Sequence, residues 1–169
     1  DGSFEVLESL HEGDDRIKAI QLRTNFGQSA ALDAGLDYAN GEFVVTMDSD
    51  GQNDPADIPR LLAKLEEGYD CVSGWRRDRE DPLAKRFFSR FASGMRKVFL
   101  GTDLHDYGCT LKAYRREAAK DIDLNGEMHR YIPALLSWRG YRITEIGVNH
   151  RPREHGETKY SWQRLPKGF

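Results

Sequence analysis

The sequence predicts an α/β domain with a mostly parallel sheet, and three observations carry that reading. Apolar runs of strand length alternate with Ala- and Leu-rich runs of helical period between Ile17 and Gly74. The 169 residues suffice for one domain with a real core. No internal repeat, low-complexity tract or Pro/Gly/Ser-rich linker divides them.

Taken in order, Ile17 to Leu22 alternates as a strand and ends in the loop Arg23 to Gly27; Gln28 to Ala39 then reads as a helix. Glu42 to Met47 is a strand through Phe43, Val44 and Val45, Pro55 to Glu67 a helix, and Asp70 to Gly74 a short strand. Asp81-Pro82 starts an amphipathic helix, an N-cap followed by proline at the first helical position. Its Phe87, Phe88, Phe91, Met95 and Phe99 share one arc, while Lys85, Arg86, Ser89, Arg90, Arg96 and Lys97 fill the other. Farther on, His105 to Tyr114 reads as a strand, Met128 to Trp138 as a helix and Arg142 to Val148 as an alternating strand; a basic tail follows from Asn149.

Composition excludes several classes. The 25 basic and 28 acidic residues nearly cancel, so the net charge of −3 is no footprint for nucleic acid. No apolar run approaches the roughly 20 residues that span a bilayer, and the first residues resemble no signal peptide. Cys71 and Cys109 have no CxxC neighbour and read as buried small residues.

In a parallel sheet ligands sit at the carboxyl ends of strands, which singles out Arg23 to Gly27, Asp48 to Asp54 and Gly74 to Arg79. In the second loop Asp48 and Asp50 follow an apolar strand one residue apart. Two such carboxylates suit a hard divalent cation that also takes phosphate oxygens; the alternative is a solvated acidic turn. Asp54 before Pro55 reads as a helix N-cap. An EF-hand fails, because Gln52, Asn53 and Pro59 occupy its fifth, sixth and twelfth positions. A haloacid-dehalogenase-type phosphatase would begin alike, but no Gly-Asp-x-x-x-Asp segment follows; it stands as the alternative enzyme, and a membrane-docking binding domain as the alternative of another class.

Thr24-Asn25-Phe26-Gly27-Gln28, Ala34-Gly35, Ala39-Asn40-Gly41-Glu42, Met47 to Pro55, Gly74-Trp75-Arg76, Lys85 to Arg90, Asp106 to Arg116, Glu145-Ile146 and Arg151 to Tyr160 resemble, in order and spacing, the family 2 glycosyltransferases. The subgroup is that of polyprenyl-phosphate enzymes of the dolichol-phosphate mannose synthase type. The resemblance implies a GT-A fold around a mixed sheet, with Mg2+ or Mn2+ as cofactor. It implies inverting transfer of a hexose from a UDP- or GDP-sugar to a polyprenyl phosphate at the cytoplasmic membrane face, the full-length protein being membrane-anchored. Asp48 and Asp50 would hold the metal, completed by Gln52, with Asn25 and Gly27 also on the donor side. Arg76, Arg86, Ser89, Arg151, Arg153 and Lys159 would hold the acceptor phosphate, where arginine forks suit phosphate. Asp106 would lie near the reacting centre, orienting a substrate or acting as base. The family's Asp-Asp-Gly-Ser strand end is missing, so residues 1–169 are expected to be a single catalytic domain lacking its first strand and much of its base pocket.

Overall fold

The computed structural model describes residues 2–77, 104–124, 126 and 128–152. Helix α1 spans Ser3–Gly13, α2 Gln28–Tyr38 and strand β1 Phe43–Thr46. A 3-10 turn, Pro55–Asp57, runs into α3, Ile58–Glu66, followed by β2, Cys71–Arg76. Strand β3 is Lys112–Arg115 and continues into the short α4, Arg116–Lys120; a second 3-10 turn, Met128–Tyr131, leads into α5, Ile132–Trp138, and β4 is Ile143–Val148. The amphipathic helix expected from Asp81 lies outside the described residues.

The sheet order is β1-β3-β2-β4. β3 is antiparallel to both β1 and β2, and β4 is parallel to β2, so β1, β2 and β4 all point one way with one reversed strand among them. The expectation of a mostly parallel sheet therefore holds in strand direction, while the reversed β3 makes the sheet mixed.

Side-chain alternation divides the core between the two faces. Val44, Cys71 and Tyr114 lie in register and bury against Leu36 of α2, Ala118 of α4, and Ile132 and Leu136 of α5. Val72 and Ala113 face the other way, with Leu61 and Leu65 of α3, Leu111 and Val148. Leu61 and Leu65 are wholly buried, each contributing about 1.5–3 kcal/mol of apolar transfer. Charged stems close the helix ends: the Lys120 ammonium donates to the Leu36 and Asp37 carbonyls at 2.9 and 2.5 Å, and the Arg115 guanidinium to that of Leu65 at 2.6 Å, satisfying carbonyls left over at the ends of α2 and α3.

Three expectations shift. Ile17 to Leu22 has no strand partner among the described residues, and Ile20 is 38% exposed; alternation defines a strand only where a neighbour supplies the ladder. The strand expected over His105 to Tyr114 pairs only from Lys112, because side chains engage the backbone before it, as described below. Asp54 is an N-cap as read, its carboxylate accepting the Ala56 N–H at 3.1 Å ahead of Pro55, but the first turn is 3-10.

Candidate active site

The acidic loop begins where β1 ends. Thr46 Oγ1 donates to the Thr110 carbonyl at 2.9 Å, and Asn53 Nδ2 to Thr110 Oγ1 at 3.0 Å, so one residue of the chain entering β3 pins both ends of the loop. Between them Gly51 takes φ +76°, a left-handed turn that glycine adopts without strain, and the Gln52 N–H donates to Asp50 Oδ1 at 3.1 Å. Asp48 Oδ1 accepts Gln28 Nε2 at 3.0 Å, which ties the loop to the first residue of α2. Just ahead, the Gly27 N–H donates to Asn25 Oδ1 at 2.9 Å and Gly27 sits at φ +90°. Asn25 and Gly27, expected on the donor side, thus form the turn that opens α2, whose first residue, Gln28, reaches Asp48.

The chain leaving β4 closes on the loop's other side. Asn53 and His150 form an antiparallel bridge, the Arg151 N–H donates to the Gln52 carbonyl at 2.8 Å, and the Arg151 guanidinium pairs with Asp54 at 3.0 Å. The Ala56 N–H is the largest influence on the Asp54 carboxyl; burial opposes it, and with the help of Arg151 the carboxyl is held below the usual range. Asp57, buried, accepts the Asn149 N–H at 2.7 Å and Arg60 at 2.6 Å, so α3 anchors the same segment. Arg151, expected on the acceptor side, is therefore attached to Gln52 and Asp54 of the acidic loop.

Arg76 ends β2 opposite Val148. Its guanidinium forks onto Asp106, Nε to Oδ2 at 2.6 Å and Nη2 to Oδ1 at 2.9 Å, and the Gly108 N–H donates to Asp106 Oδ1 at 3.0 Å. Burial raises the Asp106 pKa, but Arg76 and the backbone donors outweigh it and hold the carboxyl below its ordinary value. Trp75 stacks on the His105 ring at 4.3 Å, and Glu145 accepts from His105 through both its N–H, at 2.9 Å, and Nδ1. Gly74 has no room for a side chain: an added Cβ would stand 2.8 Å from Cys109 Sγ and 2.9 Å from the Leu111 carbonyl. That close approach lets the chain before β3 lie directly on β2.

Of the sequence-predicted site residues, Arg86, Ser89, Arg153 and Lys159 lie outside the described residues. The structure brings Gln52 to Asp50 and Arg151, Asp48 to the turn of Asn25 and Gly27, and Arg76 to Asp106. Sequence reading passed over Gln28, His105 and Lys112 as site residues. Gln28 closes the Thr24 to Gln28 motif and Lys112 lies within the Asp106 to Arg116 segment, which were their signals; His105, just outside that segment, carried none. No three His, Cys, Asp or Glu side chains converge among the described residues. Asp48 and Asp50, partly exposed carboxylates on one loop, are oxygen donors of the hard type that suits Mg2+ or Mn2+ where waters and phosphate supply the remaining ligands.

This arrangement, an acidic loop after a strand of a mixed sheet with helices on both faces, is that of a GT-A domain. Among solved structures the chain is similar to glucosyl-3-phosphoglycerate synthase from Mycobacterium tuberculosis in complex with phosphoglyceric acid, with TM-score 0.60 and 21% identity over 82% of this chain and 50% of that one. The same enzyme in complex with Mn2+, UDP-glucose and phosphoglyceric acid gives TM-score 0.54 and 24% identity over 79% of this chain and 49% of that one. The chain belongs to glycosyl transferase family 2, whose model matches residues 1–123. It is 44% identical over 152 residues to dodecaprenyl-phosphate galacturonate synthase of Rhizobium johnstonii, covering 88% of this chain and 45% of that protein. It is 39% identical over 166 residues to undecaprenyl-phosphate 4-deoxy-4-formamido-L-arabinose transferase of Salmonella paratyphi B, covering 98% of this chain and 51% of that protein. The chain thus spans about half the length of the curated relatives it matches.

Proposed function

We infer that the chain is the catalytic domain of an inverting glycosyltransferase that moves a hexose from a nucleotide sugar to a polyprenyl phosphate at the cytoplasmic membrane face. One observation carries the reading: the strand-end acidic loop Asp48 to Asp54 is joined to Arg151, within a chain 44% and 39% identical to two enzymes named for polyprenyl-phosphate sugar chemistry. The family match includes this loop and leaves the phosphatase reading without support.

In this reading Asp48 and Asp50, with Gln52, would hold Mg2+ or Mn2+, which supplies charge neutralisation for the diphosphate leaving group. Asn25 and Gly27 sit beside that position and would contact the donor. The acceptor phosphate has a second pKa near 6, so at neutral pH it is largely a dianion with no proton to surrender. Its oxygen attacks the anomeric carbon while the bond from that carbon to the diphosphate breaks. Such a nucleophile needs placement and cations more than a base. Arg76 at the end of β2 and Arg151 just beyond β4 would supply cations, with Arg86, Arg153 and Lys159 adding charge and Ser89 a hydroxyl. Asp106, held ionised by Arg76, orients rather than deprotonates.

The test is transfer of label from a panel of radiolabelled nucleotide sugars into the organic phase, using the full chain, Mn2+ and a short polyprenyl phosphate. Label that requires both metal and Asp50 is expected. An Asp50→Ala variant with undiminished metal-dependent transfer would sink the assignment, and release of inorganic phosphate without labelled lipid would restore the phosphatase.

A further inference from the structure

Lys112 is 3% exposed, set in β3 between Thr46 of β1 and Ser73 of β2. No carboxylate is hydrogen-bonded to it among the described residues; its ammonium donates to the main-chain carbonyls of Cys109 and Tyr107. Burying an ammonium without a bonded counter-ion is costly, and burial pushes its pKa below the ordinary lysine value. Its direct cross-strand partners Thr46 and Ser73 are uncharged, and the next row on the same face, Tyr114 with Val44 and Cys71, is apolar or aromatic, so packing alone would be served by an uncharged side chain.

What the ammonium holds is one turn. Tyr107 and Cys109 flank Gly108, whose N–H donates to Asp106 Oδ1 at 3.0 Å. An added Cβ at Gly108 would meet Arg76 Nη2 at 3.2 Å and Asp106 Oδ1 at 3.5 Å, so the turn lies against the ion pair itself. From the sheet side Lys112 grips both carbonyls; from the other, Asp106 takes the amide between them.

We propose that Lys112 is a positioning residue that, through the Tyr107 to Cys109 turn, fixes the Asp106 carboxylate and so the Arg76 fork. It touches neither substrate and acts through Gly108. The proposal rests on the transferase reading for its kinetic consequence, but not for its structural one.

The experiment compares wild type, Lys112→Met, Asp106→Asn and the double variant in the full chain, reading kcat and donor KM alongside hydrogen exchange at the Gly108 amide. Lys112→Met is expected to lower kcat about 10- to 100-fold with donor KM nearly unchanged. It should speed Gly108 exchange by about tenfold while α3 and β4 keep their protection. In the Asp106→Asn background the same change should cost less than about twofold, since the group it positions is already altered. Unchanged Gly108 exchange, or an equal kcat loss in both backgrounds, overturns the proposal. Should Lys112→Met not fold, Lys112→Gln, which keeps a donor without the charge, is judged by the same outcomes. If no donor supports transfer, the transferase reading fails, while Gly108 exchange still decides the role of Lys112.

Discussion

Arg76 and Asp106 are engaged by each other: a two-pronged pair at 2.6 and 2.9 Å, each side chain 15% exposed, joins the cation expected to take phosphate to the acid expected near the reacting centre. A phosphate that reaches Arg76 therefore competes with Asp106 for the fork. Asp106→Asn removes the competing charge while keeping the shape. The expected outcome is tighter binding of inorganic phosphate or a phosphomonoester by about three- to tenfold, accompanied by lower turnover. Titration calorimetry set against kcat checks it, because loss of both would mean that Asp106 helps to hold the anion instead of competing for it.

The same pair fixes a pH dependence. The folded Asp106 pKa is depressed below its ordinary 3.8, so folding is favoured by the ionised form. Its contribution is complete above that ordinary value and is lost as the pH falls through the lower folded value. In urea titrations Asp106→Asn should cost about 2 kcal/mol at pH 7 and progressively less below pH 4, where wild type also loses the charge. An equal deficit across that range would assign the loss to packing.

Gly74 sets how near the chain before β3 can approach. A methyl there would stand 2.8 Å from Cys109 Sγ, 2.9 Å from the Leu111 carbonyl and 2.9 Å from Val148 Cγ2, with backbone among the obstacles. Gly74→Ala should destabilise the domain by about 2–3 kcal/mol, measured as a lower urea midpoint at unchanged slope. The Gly74 N–H to Leu111 carbonyl bond, 2.9 Å here, is the first contact to go.

Much of this was legible in local sequence, and the remainder was not for identifiable reasons. The acidic strand end at Asp48, the Asp54 cap and the helix behind Pro55 depend on neighbours a few residues away, and all are found in place. The reversal of β3 depends on Val44 and Cys71 both pairing with Tyr114, partners 70 and 43 positions distant in the chain. His105 to Cys109 looked extended, but Glu145, Arg76 and Lys112 engage its side chains and backbone from remote positions. The burial of Lys112 was not legible, since lysine is almost never fully buried and nothing adjacent in sequence marks this one as an exception. Gln28 and Arg151 were visible as parts of motifs, and so were Asp48 and Asp54, but that Gln28 pairs with Asp48 and Arg151 with Asp54 was not, because these partners are 20 and 97 positions apart.

Asp57 offers a way to separate the two halves of the site. It is 2% exposed, and its carboxylate joins Arg60 at 2.6 Å to the Asn149 N–H at 2.7 Å, so it anchors the segment leaving β4 to the start of α3. Asn149 leads directly to His150 and Arg151, which border the acidic loop. Asp57→Ala takes the acceptor from the Asn149 N–H and the partner from Arg60, at a cost of about 1 kcal/mol for the lost backbone bond. The loss should be local: exchange at Asn149 and Arg151 rises while the β2 to β4 ladder stays protected. If Arg151 serves the acceptor, KM for polyprenyl phosphate should then rise more than KM for the nucleotide sugar. Equal rises would place Arg151 with the donor, through its contacts to Gln52 and Asp54, and steady-state kinetics with each substrate varied in turn distinguishes the two.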